Sequence, residues 1–388
     1  MIGTTYKNNI GVPFMRNQQA VLDTRASGST CRPVSAVISS PLTHEASPQF
    51  ARCNASKSQD GGGLLSWAAR LSPWGLIAGL AYAAVFIKPT VDAAPLLQPV
   101  VEQRDMFFGA AGDLTSLWVV GQDGAVLHGV QGGTRWSREV LSTRSNLQAV
   151  AVSPGGVVVA VGNHGDLWLK TPEQNWRNTK LPVSEVGGKL LDVAFIGGHF
   201  WVTGEMGALF RSGPEAGAWE RVGEEQDVAF NAIRQGIGSD LWVAAEFGRL
   251  LRSRDGGLNW TTQELGNESL RSVSFEGQVG VAVGNAGHVY VSQDGGDNWK
   301  AISLFASDHL RDVAVVDGLW SVVGDNGTYF QSRKPDGGWS NAALEFGGLG
   351  KGYFTRVLLV AGGSLLVGQQ LAVIDGGQLT VVNAGMQP

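Results

Sequence analysis

The chain has 388 residues, a formal net charge of −5, 43% hydrophobic and 16% charged residues. No basic run or basic–aromatic interleaving is present, which argues against a nucleic-acid ligand. The two cysteines, Cys31 and Cys53, belong to no CxxC or Cys/His pattern, so no structural metal or cofactor is expected.

Residues 1–63 are rich in Ser, Thr, Asn, Gln and Gly without sustained periodicity, and read as a disordered arm. Residues 64–90 hold an apolar segment, with Leu71 to Ile87 uncharged. Its length is at the lower edge of a bilayer-spanning helix. Arg52, Lys57 and Arg70 precede it and only Lys88 closely follows, so the N-terminus is expected to stay cytoplasmic and the rest to be exported. An inner-membrane anchor with a periplasmic domain is one reading. A signal peptide cut near Val91-Asp92-Ala93-Ala94, releasing the domain to periplasm or lumen, is another. A buried soluble helix is a third. Residues 91–104 read as a Pro-containing tether.

From 105 to 384 one unit recurs. A turn glycine aligns at Gly121, Gly162, Gly204, Gly284, Gly324 and Gly368, with Ala245 in the remaining place, at steps of 39 to 44 residues. Independently, an aromatic aligns at Trp136, Trp176, Trp219, Trp260, Trp299 and Trp339. Between these marks, residues alternate with a period of two, as in Val279, Val281 and Val283, and Gly and Asn/Asp close the runs, which is the signature of hairpins. An apolar segment such as Leu270 to Phe275 opens each unit. Each unit therefore carries four short strands, termed a, b, c and d. Four strands in about 40–50 residues make a propeller blade. The fold expected is all-β: a seven-bladed β-propeller, closed so that no sheet edge is left open and no capping repeat or second copy is needed. Either Val100 to Gln103 or Gln378 to Val382 would supply the outermost strand of the last blade. The 55 glycines read as turn residues taking positive φ rather than as low complexity.

Two full Asp-boxes, S-x-D-x-G-x-x-W, occupy c–d turns: Ser253, Asp255, Gly257, Trp260 and Ser292, Asp294, Gly296, Trp299. A degraded copy runs from Ser332 to Trp339. The Ser hydroxyl and Asp carboxylate are suited to accepting turn N–H groups, with the Trp packed over the hairpin. The motif is structural and implies no ligand. These features resemble the bacterial-neuraminidase-repeat propellers, and among them the Ycf48/HCF136-like photosystem II assembly and stability factor family. The resemblance covers about Asp105 to Val382. It implies an exported, non-catalytic propeller that helps assemble a membrane protein complex; the partner expected is such a complex or a transporter component, and the propeller is expected to be monomeric. The chain departs from the lipoprotein variants because no Cys follows the apolar segment.

Blade geometry puts b–c turns and d–a connections on one face. The residue after each first-turn glycine (or Ala245) is Gln122, Asn163, Glu205, Glu246, Asn285, Asp325 and Gln369, all amides or acids. Arg271, Arg311 and Arg356 lie at the starts of strands a, on the same face. One reading makes arginines Arg271, Arg311 and Arg356 with Glu205, Glu246 and Asp325 a partner-docking surface. The plainer reading is that the ring residues cap their own turns and the arginines pair with them. A sialidase-like hydrolase would need a Tyr–Glu pair with arginines; Tyr353, Glu345 and Arg356 can be drawn, with no spacing to favour them. A ligand in the central channel is a third class. His44, His128, His164, His199, His288 and His309 show no ligand spacing, and His164 and His288 read as surface residues.

Overall fold

The computed structural model describes residues 64–86, 99–113, 115–345, 352–360, 363–376 and 378–382. The expectations for the 1–63 arm, for the cysteines, for His44 and for most of the tether lie outside the described residues. The chain forms two compact units, Met1–Asp92 and Ala93–Pro388.

In the first unit a helix runs over Leu64–Phe86, with Pro73 inside it. No helix among the described residues is long and apolar enough to cross a membrane. This corrects the expectation of a spanning anchor. Ser66, Arg70, Ser72 and Pro73 occupy the first half of the segment, so its apolar run is short.

In the second unit seven four-stranded antiparallel sheets follow one another in the chain. Their strands a are Phe107–Gly112, Leu147–Val152, Leu190–Ile196, Phe230–Gln235, Leu270–Glu276, Leu310–Val316 and Phe354–Val360. Each strand a neighbours the next, and the seventh neighbours the first, so they line a central channel. Every blade is made of consecutive strands. The last is completed by Gln378–Val381, paired to Leu371–Asp375, which decides between the two candidates for that strand. Val100 instead packs against Leu365, Leu371 and Val382 at the seam between blades 7 and 1, and Arg138 ties Asp105 to the same place with a 2.7 Å bond.

The first residue of every strand a is buried: Phe107, Leu147, Leu190, Phe230, Leu270, Leu310 and Phe354. Blade-to-blade packing of such residues forms the core as layers between neighbours. The hairpin tryptophans extend these layers. Trp260 meets Trp201 of the preceding blade edge-on at 6.4 Å, and Trp299 meets Trp242 at 5.8 Å. They therefore join blades, where the sequence suggested that they cover their own hairpins. The Asp-box turns bed on the same rings. A Cβ on Gly257 would lie 2.2 Å from Trp201, and one on Gly296 2.4 Å from Trp242.

Inside each box the carboxylate works as expected. The Asp255 carboxylate accepts the backbone N–H groups of Leu258 and Asn259 at 3.1 and 2.9 Å. Gly257 N–H donates to the Ser253 hydroxyl at 2.8 Å, as Gly296 N–H does to Ser292. These donated bonds, foremost those from Asn259 and Asn298, hold the Asp255 and Asp294 carboxyls down to about 2.

The aligned turn glycine has a different cause from the one expected. Gly121, Gly162 and Gly284 are extended, with φ between −153° and −167°. What excludes a side chain is proximity. At Gly121, Gly162, Gly204, Gly284, Gly324 and Gly368 a Cβ would lie between 2.0 and 2.5 Å from the carbonyl oxygen of the residue before strand a. Positive φ falls instead on the fourth residue of the turn, such as Gly287 at 74°, and on the residue before it.

Candidate functional site

Every strand a carries one extra residue against strand b. The register shifts between its first and third residues in all seven blades. A β-bulge of this kind bends the strand and re-aims the extra side chain. The seven bulged residues are Phe108, Gln148, Leu191, Asn231, Arg271, Arg311 and Thr355. All seven line one cavity of about 400 Å³ at the d–a mouth of the channel, with Asn146, Lys189, Tyr353 and Arg356. The bulge thus turns a repeated strand into a ring of variable side chains.

Arg271, Arg311 and Arg356 meet in this cavity. Their partners differ. The Arg311 guanidinium donates to Asp325 at 2.5 and 3.3 Å and stands 5.7 Å from the centroid of the Tyr353 ring. Arg271 donates through Nε to Asn285 Oδ1 at 2.9 Å. Burial, and secondarily the charge of Arg311, push the Arg271 guanidinium pKa down. Two cations of like charge thus share a half-closed mouth.

The acid and amide ring is used within each blade. Its backbone N–H groups donate in all seven blades to the carbonyl before strand a, for example Asn285 to Ser269 at 2.9 Å and Asp325 to His309 at 3.0 Å. The Glu205 carboxylate accepts from Lys189 N–H at 3.1 Å and that of Glu246 from Ala229 N–H at 2.9 Å. Asn163 accepts from Gln148 at 3.1 Å. Glu205 and Glu246 thus cap their own turns, and Asn285 and Asp325 hold Arg271 and Arg311, while Arg356 is held by Asp192 and Asp312 outside the ring. Glu205 and Glu246 do not join the arginine cavity.

Arg356 is the third residue of its strand, one place beyond the bulge, and reaches into the channel. There it meets Asp192, Arg234 and Asp312, residues that no repeat position or spacing groups together. Asp192 accepts from Arg356 and Arg234, and from Ile233 N–H at 3.0 Å. Asp312 accepts from Ser272 at 2.7 Å, from Val357 N–H at 3.1 Å and from Arg234 at 3.4 Å. Asp192 is 1% exposed. Both carboxylates are thereby paired and hydrogen-bonded, the condition for a charge to be kept in low dielectric. On the opposite face a wider cavity of about 1050 Å³ has the same four residues in its lining, and Arg356 lines both cavities.

Arg356 is engaged by two carboxylates, and the Tyr353 hydroxyl lies 3.3 Å from Met106 Sδ. The Glu345 side chain lies outside the described residues. Among the described residues no group of His, Cys, Asp and Glu could hold a metal ion. His164 is exposed. His288 is partly buried, with its Nδ1 3.0 Å from the carbonyl of Asn285.

Fold and site define a seven-bladed Asp-box-repeat propeller whose channel is crossed by charge and whose d–a mouth is lined by bulged residues. A family model described as "Photosynthesis system II assembly factor YCF48" matches residues 226–312. The chain is 27% identical over 208 residues to "Photosystem II assembly lipoprotein Ycf48" of Synechococcus sp. (strain CC9902), covering 50% of this chain and 60% of the relative. It is 29% identical over 161 residues to "Photosystem II assembly protein Ycf48" of Synechococcus sp. (strain JA-3-3Ab), covering 39% of this chain and 47% of the relative. Among solved structures, one described as "YCF48 bound to D1 peptide" superposes with a TM-score of 0.58 at 16% identity, over 68% of this chain and 91% of that one. "YCF48 from Cyanidioschyzon merolae" gives a TM-score of 0.58 at 12% identity, over 73% and 98%. The chain spans about half to three fifths of the length of these curated relatives, and over that stretch it is similar to Ycf48 proteins.

Proposed function

We propose that the protein is a non-catalytic assembly factor that docks a polypeptide segment of a membrane protein complex at its d–a mouth. The observation that carries this reading is the convergence of seven bulged side chains, two of them guanidiniums, on one cavity. Arg311 is held by Asp325, and Arg271 by Asn285, so neither has to be ordered when a partner arrives, which lowers the cost of binding. The names of the relatives give the direction: they are photosystem II assembly proteins, and one structural neighbour is described as bound to a D1 peptide. A photosystem II subunit is the partner this supports. Nothing in the comparisons favours a transporter component.

We place the propeller on the exported side of a membrane, in periplasm or lumen, because Arg52, Lys57 and Arg70 precede a short apolar run that suits a signal peptide. Crosslinking in native membranes, followed by identification of the captured subunit, tests the function. Arg271→Glu with Arg311→Glu should abolish capture. Arg271→Gln with Arg311→Gln, which adds no repulsion toward Asp325, should weaken it while the far-UV spectrum and thermal midpoint stay close to those of the unaltered protein. Undiminished capture by both variants would remove the mouth from the docking surface.

A further inference from the structure

We propose that the outer d–a surface of blades 3 and 4 is a second contact strip, and that it takes an extended polypeptide segment carrying basic and apolar side chains. The proposal rests on the reading of the d–a face given above but uses other residues. Among the described propeller residues the exposed large hydrophobics are Met106, Val140, Val186, Phe247, Leu258 and Leu304, and all except Leu258 lie in d–a connections or b–c turns. Single exposed apolar residues are ordinary. On that face Val186, Met206 and Phe247 fall on neighbouring blades, the kind of grouping that interaction surfaces show.

Phe247 is the sharpest case. The third residue of the b–c turn has positive φ in blades 1 to 6, where it is Asp123, His164, Met206, Phe247, Ala286 and Asn326. Asp and Asn enter this region readily; a bulky aromatic does so at a cost. Phe247 holds φ at 58° and is still 55% exposed. Its ring therefore gains little burial in return for the strained backbone. The Arg249 guanidinium lies 5.7 Å from the ring centroid and supports it from one side. A strained, outward-facing aromatic is a common form of binding anchor.

The connection over residues 222–229 runs between the apolar turn residues of two blades. Gln226 N–H donates to the Met206 carbonyl at 3.3 Å, and Ala229 N–H to the Glu246 carboxylate, next to Phe247, at 2.9 Å. Along it Glu224, Glu225 and Asp227 are exposed and take part in no hydrogen bond or ion pair among the described residues. On the far side Gly187, which follows Val186, lies against Met206. The strip thus reads Val186, Met206, three unpaired carboxylates and Phe247, with Arg221 turned back to the Met206 carbonyl at 3.3 Å and Arg249 against the Phe247 ring. Charge selects its occupant. An anionic bilayer or an acidic peptide is repelled; a segment in which Lys or Arg alternates with apolar side chains is complementary.

Fluorescence anisotropy on the full chain tests this with a short labelled repeat peptide of lysine, valine and proline, and with its counterpart carrying glutamate for lysine. The lysine peptide should bind about tenfold or more tighter than the glutamate one, and high salt should weaken it. Phe247→Gly should reduce affinity about tenfold while the thermal midpoint holds or rises, because glycine relieves the turn. Glu224→Gln, Glu225→Gln and Asp227→Asn together should weaken binding and flatten its salt dependence. Arg271→Gln with Arg311→Gln should leave peptide affinity unchanged, which separates this strip from the mouth. Equal binding of the two peptides, or full affinity in Phe247→Gly, would overturn the proposal.

Discussion

Arg356, in the innermost strand of blade 7, donates to Asp192 in the innermost strand of blade 3, a residue 164 positions earlier in the chain. The bond crosses the channel, and Asp192 has almost no contact with solvent. Without Arg356, Asp192 and Asp312 share the single Arg234 and one acceptor bond is lost. Arg356→Met should therefore cost about 1–3 kcal/mol of unfolding free energy. Asp192→Leu combined with Arg356→Met should recover part of that loss. Urea unfolding of the single and double variants measures both.

Gly284→Ala should destabilise by about 1–3 kcal/mol through overpacking, because its Cβ would lie 2.4 Å from the Ser269 carbonyl oxygen. Ala245→Gly, at the same place in blade 4, should cost about 1 kcal/mol or less, since it removes one buried methyl. If positive φ were the reason for the repeated glycine, Ala245 would already be strained and Ala245→Gly would stabilise. The denaturation midpoints of the two variants distinguish these causes.

A double-mutant cycle on Trp242 and Trp299 should give a coupling energy of about 0.5–1.5 kcal/mol, the worth of an edge-on aromatic pair beyond its buried area. The rings belong to successive blades, 5.8 Å apart. Additive losses would mean that each tryptophan serves only its own sheet.

The Asp255 and Asp294 carboxyls titrate near 2, against 3.8 for an ordinary aspartate. Their folded value is lowered, so the stability they add is fully present above the unfolded value and is lost as pH falls from about 4 through 2. Carboxyl chemical shifts followed through this range should give both midpoints. Asp255→Asn with Asp294→Asn should flatten the acid limb of stability against pH and leave its slope near neutrality unaltered.

The seven-fold ring was legible because glycine and tryptophan recur for steric reasons that act in each blade. The turn glycine must admit a carbonyl, and the hairpin tryptophan must reach the next blade. Neither reason shows in the sequence, but both leave a periodic mark. Arg271 and Arg311 were legible for the same cause: they occupy the second place of a repeated segment. The bulge at that place was not, since an extra residue in one strand leaves the apolar pattern nearly unchanged. Arg356 was grouped with them although it stands one place further, and that single step sends it into the channel. Asp192, Arg234 and Asp312 could not be found, because their association exists only once distant blades have been brought round.

Because each sheet is completed by one uninterrupted run of chain, no strand is borrowed across the seam between Gln378–Val381 and Phe107–Gly112. The order of blades is then a matter of connectivity alone. A circular permutant of the propeller that links the chain at Val100 to Val382, which share one packed cluster, and starts anew in the connection over residues 222–229 should assemble the same ring, with its docking mouth intact.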